Sequence, residues 1–446
     1  MTPKLAIVST YNENCGNASY THALKCAFSK YIDVDVIGLD LFLLQGTSTT
    51  LVKAGDQHIE QICEKLKNFD YVNIQFEGGL YGGRIKDILR RIKRLIDVAP
   101  NLTLTMHRVD TDIFPFSKSV MLGLRSKSYK KFKSSVGAGN FSNLSRNVVQ
   151  HCKTASASKN VWIKVHTKRD ARAVKLIFKN EKVFDYPLVF LTQEERQIAT
   201  SNNNRSKFLS KHGFSQEDKV IGLFGYLSDY KGIDTAIQAL SLLPKCYKLG
   251  LFGSQHPQTV KRGEALNPYL KSLFNLMENI DENVKKDRAR SARLDWLRNK
   301  RDDTSILTTH QELISPVTDR IKFIGSLPDP EFIEALRLSD AVVLPYLEVG
   351  QSMSGVVVLG IESGGRLICA NNYSFAETRK YFPDTFLGFD MGNMFELSQK
   401  IIFCTENPLQ TQFEKNRADC FEEYNIDNSI RLQLTKFGFT NFEGKK

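Results

Sequence analysis

The feature that most restricts the fold of this 446-residue chain is a repeated alternation of short apolar runs with helical stretches. From the start, Leu5 to Ser9, Asp35 to Leu39, Tyr71 to Gln75 and Leu102 to Met106 read as strands. Tyr20 to Tyr31, Ile59 to Leu66 and Ile85 to Ile96 carry helical spacing between them. Such an alternation predicts a parallel sheet covered by helices. A second block repeats it, with strand-like runs at Lys219 to Gly225, Lys248 to Gly253, Ile321 to Ile324, Ala341 to Leu344 and Arg366 to Cys369. The turn-forming stretch Ser201-Asn-Asn-Asn-Arg-Ser206 separates the two blocks. The expected fold class is therefore α/β, with Rossmann-like domains at 1–205 and 206–400. The second carries a charged helical insertion at about 260–318, and a helical tail at 401–446 is expected to pack back on the first domain.

Charge is unevenly placed. The chain carries +12 overall, yet Ser117 to Lys182 alone holds sixteen Lys or Arg against Asp170 and Glu181, a local balance of +14. The helix Ile85–Ile96 adds a cationic face through Arg90, Arg91, Lys93 and Arg94. A solvated face, an anionic lipid surface and an anionic acceptor are all compatible with this, and nucleic acid is the least favoured partner. The segment Asp281–Asp303 mixes eight basic and six acidic residues around Leu294, Trp296 and Leu297 and reads as a solvated helix. Eight scattered cysteines without a C-x-x-C pair indicate neither a zinc site nor a disulfide framework. The first residues read as a strand rather than a signal peptide, so the expectation is a cytoplasmic protein, peripheral on the inner leaflet if it meets a membrane.

Five segments place polar or flexible residues where such sheets bind ligands. The turn after the first strand brings Gly16 and Asn17 to a helix start, where free amides and the helix dipole favour an anion. The strand ending in Gln75 and Glu77 runs into a loop with Gly78, Gly79, Gly82 and Gly83. A third strand delivers His107, Asp110 and Asp112 at its C-terminal edge, with His107 suited to hydrogen bonding or proton transfer. In the second block, Gly225-Tyr226 leads to Lys231 at a helix entrance, positioned to neutralise a phosphate. Finally, Gln351-Ser-Met-Ser-Gly-Val356 opens an apolar helix and offers hydroxyls and amides as a second diphosphate cradle.

In order, these motifs resemble glycosyltransferases of GT-B fold, specifically a bacterial-type subgroup of the large retaining family four. The likeness rests on Ser9, Thr10, Cys15, Gly16, Ala18 and Thr21, then on Asn73, Ile74, Gln75, Glu77, Gly79, Gly82 and Gly83, with Phe76 where the subgroup has histidine. Thr105 and His107, Tyr230 to Ile233, and Gln351 to Gly355 continue it. Most of family four carries two glutamates eight residues apart in the last motif; the aligned positions here are Ser352 and Gly360.

The resemblance implies two Rossmann-like domains facing across a cleft and transfer of a sugar from a nucleoside diphosphate sugar, UDP- or GDP-linked, to a saccharide or lipid-linked saccharide. A retaining, metal-independent reaction without a cofactor is expected. Donor contacts would fall to Gly16, Asn17, Tyr226, Lys231, Gln351, Ser352, Ser354, Gly355 and Val356, and acceptor contacts to Gln75 and Gly79. His107, Asp110 and Glu77 would serve catalysis. Two alternatives remain: a nucleotide-sugar epimerase, and a non-catalytic saccharide or nucleic-acid binder on a decayed transferase fold.

Overall fold

A computed structural model describes residues 3–13, 15–111, 143–201, 203–255, 266–298, 316–407 and 410–440, with the side chains of 287–298, 410 and 411 outside the description. Asp112, the basic residues between Lys118 and Lys133, and residues 299–315 of the charged insertion lie outside it. The chain divides into two compact units. The first comprises Met1–Thr192, Gly350–Gly355 and Glu422–Lys446, and the second Gln193–Val349 and Val356–Phe421.

In the first unit, strands β1 (Lys4–Ser9), β2 (Asp33–Gly38), β3 (Tyr71–Phe76), β4 (Leu102–Met106), β5 (Val161–Val165) and β6 (Val183–Asp185) form one parallel sheet in the order β2-β1-β3-β4-β5-β6. Between them run α1 (Gly16–Ser29), α2 (Leu41–Gln45), α3 (Thr49–Leu66), α4 (Gly78–Tyr81), α5 (Ile85–Val98), α6 (Leu144–Ala155) and α7 (Lys168–Leu176). The second unit begins with α8 (Gln193–Ser201) and α9 (Arg205–Lys211). It then forms β7 (Lys219–Phe224), α10 (Ile233–Ser241), β8 (Tyr247–Phe252), α11 (Pro268–Arg298), β9 (Ile321–Phe323), α12 (Asp329–Leu338) and β10 (Ala341–Leu344). After α13 (Gly355–Glu362) come β11 (Leu367–Ala370), α14 (Tyr373–Arg379), β12 (Leu387–Phe389), α15 (Met394–Glu406) and α16 (Gln410–Glu423). Its sheet, also parallel throughout, has the order β12-β11-β10-β7-β8-β9. The last helix, α17 (Ile426–Lys436), belongs to the first unit and packs against α1.

The two faces of the first sheet differ. Val72, Ile74, Phe76, Leu104, Met106, Ile163 and Val165 point into a hydrophobic core shared with α3, α5 and α6. The alternate residues Asn73, Gln75, Thr103, Thr105 and Lys164 are fully buried as well, although polar. Alternation of this kind ordinarily marks a strand with one wet face; here α1 and α17 supply hydrogen-bonding partners to that face.

Part of the cationic character read from the sequence is paired within the fold. Arg90 and Arg94 of α5 pair with Asp56 and Glu60 of α3 at 2.7 and 2.8 Å. Lys159 donates to the carbonyls of Ile96, Asp97 and Ala99, closing the C-terminal end of α5. Helix α11 starts at Pro268, and its first part, ahead of the segment read as solvated, buries Leu270, Leu273 and Met277. Asp281 on the same helix accepts the backbone N–H groups of Val317 and Thr318 at 2.6 and 3.1 Å.

Arg91 is the buried tie of the first unit. Its guanidinium donates to the carbonyls of Leu44, Tyr81 and Val52 and to Asp56, so it holds the glycine-rich turn after β3 against α2 and α3. Arg91→Met removes this donor from three buried carbonyls and leaves Asp56 to Arg90 alone. Stability should fall by about 3–5 kcal/mol, read as a lower urea midpoint at unchanged m; a loss under about 1 kcal/mol would show that the guanidinium does not carry this load.

Candidate functional site

Each sheet reverses its strand order once: between β1 and β3 in the first unit, and between β7 and β10 in the second. Loops at the carboxyl ends of the flanking strands diverge at such a point and leave room for a ligand.

In the first unit, α1 begins beside the end of β1 with Cys15 as an N-cap that makes no side-chain cap bond. Asn17 in its first turn donates through Nδ2 to Glu77 Oε2 at 2.7 Å, joining this turn to the end of β3. Gly16 and Gly79 both face open space where a side chain would be. The Gly79 carbonyl accepts from Gln45 at 3.0 Å, and Tyr81 donates its hydroxyl to the Gln75 carbonyl at 2.9 Å, which fixes the loop.

The register pairs Phe76 with Met106 and Met106 with Val165. Glu77, His107 and His166 are therefore the next residues beyond three adjacent strands, at one level. The ring centroids of His107 and His166 are 5.0 Å apart, and Tyr20 of α1 stands edge-on to both at 5.7 and 5.8 Å. Burial lowers the His107 pKa to about 4, opposed by Glu77 and reinforced by Lys164. His166 is pushed well below the usual imidazole value by burial, by His107 and by Lys164. Its Nδ1 lies 3.2 Å from the Tyr186 carbonyl, and that acceptor requires Nδ1–H, which makes Nε2 a bare acceptor. This buried nitrogen finds no hydrogen-bond partner among the described residues.

Lys164 on β5 donates to the Tyr20 hydroxyl at 3.0 Å and to Ser429 Oγ of α17 at 2.9 Å, and burial lowers its pKa to about 7. Sequence reading counted it in a surface patch and did not single out His166 or Tyr20. The available signal was that Lys164 sits in an otherwise apolar five-residue strand. Asp110 is engaged elsewhere: its carboxylate pairs with Arg108 at 2.6 Å and its N–H donates to Ser145 Oγ at 3.0 Å. Among the described residues no three His, Cys, Asp or Glu side chains gather as a metal site.

In the second unit, β7 is followed by Gly225, whose φ of +100° suits glycine alone. A methyl group there would lie 3.3 Å from Lys231 Nζ and 3.9 Å from Val356 of α13, so all three surround one small space. Lys231 is buried; its Nζ donates to the Tyr346 hydroxyl at 2.5 Å and lies 3.8 Å from the centre of that ring. Tyr346 follows β10, and the Tyr230 carbonyl accepts the Leu347 N–H at 2.7 Å, locking the loops after β7 and β10 together. Gly232, at φ +63°, fits against the Pro345 carbonyl, where a side-chain carbon would clash at 2.0 Å. Burial alone lowers the Lys231 pKa to about 7, and no carboxylate among the described residues offsets it. An ammonium held this way gains from any anion that enters.

The remaining expected donor residues fall on both sides of the division between units. Tyr226 is half-buried in the second unit. Gln351, Ser352, Ser354 and Gly355 group with the first unit and Val356 with the second. Ser352 and Ser354 are buried, Gln351 donates to the Met353 carbonyl at 3.4 Å, and Gly355 packs near Phe190. Glu348 accepts the Tyr373 N–H at 2.8 Å, and Glu362 is buried in the field of Arg196.

Two six-stranded parallel sheets, each reversing once and covered by helices, define the GT-B fold, and solved structures of that fold align along nearly the whole chain. HepE from Anabaena, crystallised with UDP-glucose, is 14% identical at a TM-score of 0.58, covering 97% of this chain and 99% of its own. A sucrose-phosphate synthase from Thermosynechococcus elongatus is 12% identical at 0.61, covering 98% of each chain. A UDP-forming α,α-trehalose-phosphate synthase from Burkholderia vietnamiensis is 12% identical at 0.61, covering 99% of this chain and 98% of its own. No protein-family model and no curated protein sequence matches the chain.

The depressed lysine pKa has a directional consequence. Between pH 7 and about 10, an unfolded lysine keeps a proton that folded Lys231 has released, so stability rises with pH across that window and the cost of burial is greatest below it. In anion-free buffer, Lys231→Met should be at least as stable as wild type at pH 6.5, with its advantage shrinking toward pH 10. Urea unfolding across that range checks this, and a difference that does not change with pH would contradict it.

Proposed function

We propose that the protein is a glycosyltransferase that moves a sugar from a nucleoside diphosphate sugar to a saccharide or lipid-linked saccharide acceptor. The observation that carries this reading is the uncompensated Lys231 ammonium beside Gly225 and Val356, at the reversal point of the second sheet. A diphosphate supplies the missing negative charge, and Gly225 leaves room for it. That HepE is crystallised with UDP-glucose supports UDP over GDP as the carrier.

In the reaction we infer, the acceptor hydroxyl oxygen forms the new bond to the anomeric carbon while the bond from that carbon to the diphosphate breaks, its electron pair leaving on the diphosphate. Lys231 and the first amides of α13 stabilise that charge as it develops, the role in which fixed positive groups contribute most. No metal ion is required for it. At a pKa of about 4, His107 is too weak a base to hold the hydroxyl proton at neutral pH. It orients the hydroxyl, and the proton leaves with the diphosphate, as in a retaining transfer. Glu77, Asn17, Gln75 and Gly79 line the acceptor side in this scheme, and Asp110 acts through Arg108.

Calorimetry with UDP, GDP and their sugars tests the reading. One nucleotide should bind, and Lys231→Ala should weaken it and lower turnover by about 100-fold or more. Full turnover in that variant, or no nucleotide binding by wild type, would remove the proposal.

For the acceptor we favour delivery at a cytoplasmic anionic membrane surface. No described helix is long and apolar enough to cross a membrane. Lys168, Arg172 and Lys175 lie along one exposed face of α7, Lys179 follows, and Leu176 and Ile177 at its end are 66% and 45% exposed. A basic face ending in exposed aliphatic side chains suits a headgroup layer. Binding to vesicles with phosphatidylglycerol should drop when Leu176 and Ile177 become Ser, and should weaken with salt. Equal binding to neutral vesicles would refute the charge argument.

A further inference from the structure

The polar face of the first sheet contains a continuous chain of hydrogen bonds that ends on His107. Its direction can be read from chemistry. The Gln433 amide donates to the Ser429 carbonyl at 3.4 Å within α17. Because that carbonyl only accepts, Gln433 must turn its Oε1 to Asn73, which donates Nδ2–H to it at 2.8 Å. Asn73 Oδ1 then accepts from Gln75 Nε2, which also faces the Thr105 hydroxyl at 3.3 Å. What remains of Gln75 is its Oε1, 2.9 Å from His107 Nε2. An oxygen can only accept there, so the imidazole must be the donor. Asn73, Gln75 and Gln433 are fully buried, so no water competes for these positions.

We infer that this relay of three carboxamides, anchored on the C-terminal helix, holds His107 as the Nε2–H tautomer and leaves its Nδ1 lone pair as the acceptor for a sugar hydroxyl, making Gln433 a positioning residue of the site. The inference rests on the transferase reading for what His107 meets, but not for the tautomer itself. Each carboxamide has one oxygen and one NH2 group, so orienting either end orients the whole row. Glu77, Lys164 and His166 are the ionisable groups facing His107. Its hydrogen bond goes to Gln75 instead, so the relay fixes the ring through a neutral contact. Helix α17 also sends Ser429, one turn before Gln433, to Lys164, so one face of the last helix sets both the imidazole and the ammonium.

Long-range proton–nitrogen NMR of the 15N-labelled full-length protein reads the tautomer, with His107→Gln used to assign the signals. Wild type at pH 7 should show a protonated Nε2 and a bare Nδ1 at His107. Gln433→Ala should give a mixture of tautomers and lower kcat about tenfold or more with little change in KM. Gln433→Glu, whose carboxylate still accepts from Asn73, should restore a single tautomer. A protonated Nδ1 in wild type, or an unchanged His107 spectrum in Gln433→Ala, overturns the inference. Should Gln433→Ala fail to fold, the wild-type spectrum decides alone. A protein with the expected tautomer and no nucleotide-sugar binding would instead sink the transferase reading and leave the relay standing.

Discussion

Burying the polar face of the first sheet is the constraint on which the rest of that unit depends. A parallel sheet in this fold is covered on both sides, so every residue of its central strands leaves water. Where those residues are Asn73, Gln75, Thr105 and Lys164, their donors and acceptors must be matched by whatever covers them. Tyr20 from α1 and Ser429 with Gln433 from α17 provide that match. Mismatched polar groups in a dry layer are costly, so one arrangement of strands and helices is strongly selected over near alternatives. The ordered row that satisfies the strands also leads to the group best suited to meet a ligand.

The second unit uses a different economy. Its central strands β7 and β10 are apolar apart from Lys219 at the start of β7, and its candidate anion-binding group lies in the loops beyond their carboxyl ends. There a lysine is held against an aromatic ring instead of a carboxylate, so its charge remains available to an incoming anion. A salt bridge at that position would have removed the reason for an anion to enter. Both units are thus six-stranded parallel sheets that reverse once, while one stores its polarity within the sheet and the other at its edge.

Alternating apolar runs were enough to read two α/β blocks, the strands that flank each reversal point, and the residues Glu77, His107 and Lys231. Periodicity could reach these because each sits at the end of a long buried strand or at a glycine turn. It did not reach β5, β6 or β12, which are short or broken by Lys164, nor the first half of α11, whose anchors Leu270, Leu273 and Met277 precede its charged stretch. Charge counting has a more instructive limit. Arg91, Lys159 and Lys164 contribute to the apparent cationic surface, yet they spend their donors on carbonyls, a carboxylate and hydroxyls within the fold. Sequence lists positive groups without saying which face inward. The partners Ser429 and Gln433 were beyond any local pattern, since 265 and 360 residues separate them from Lys164 and Asn73.

That separation sets the order of assembly during synthesis. While the ribosome is still making the second unit, the first already has its strands but lacks the segment that quenches their amides and ammonium, so it must wait in an incomplete, hydrated form. Only when α17 emerges can the early half dry out and harden, which places the completion of the first unit after the synthesis of the second.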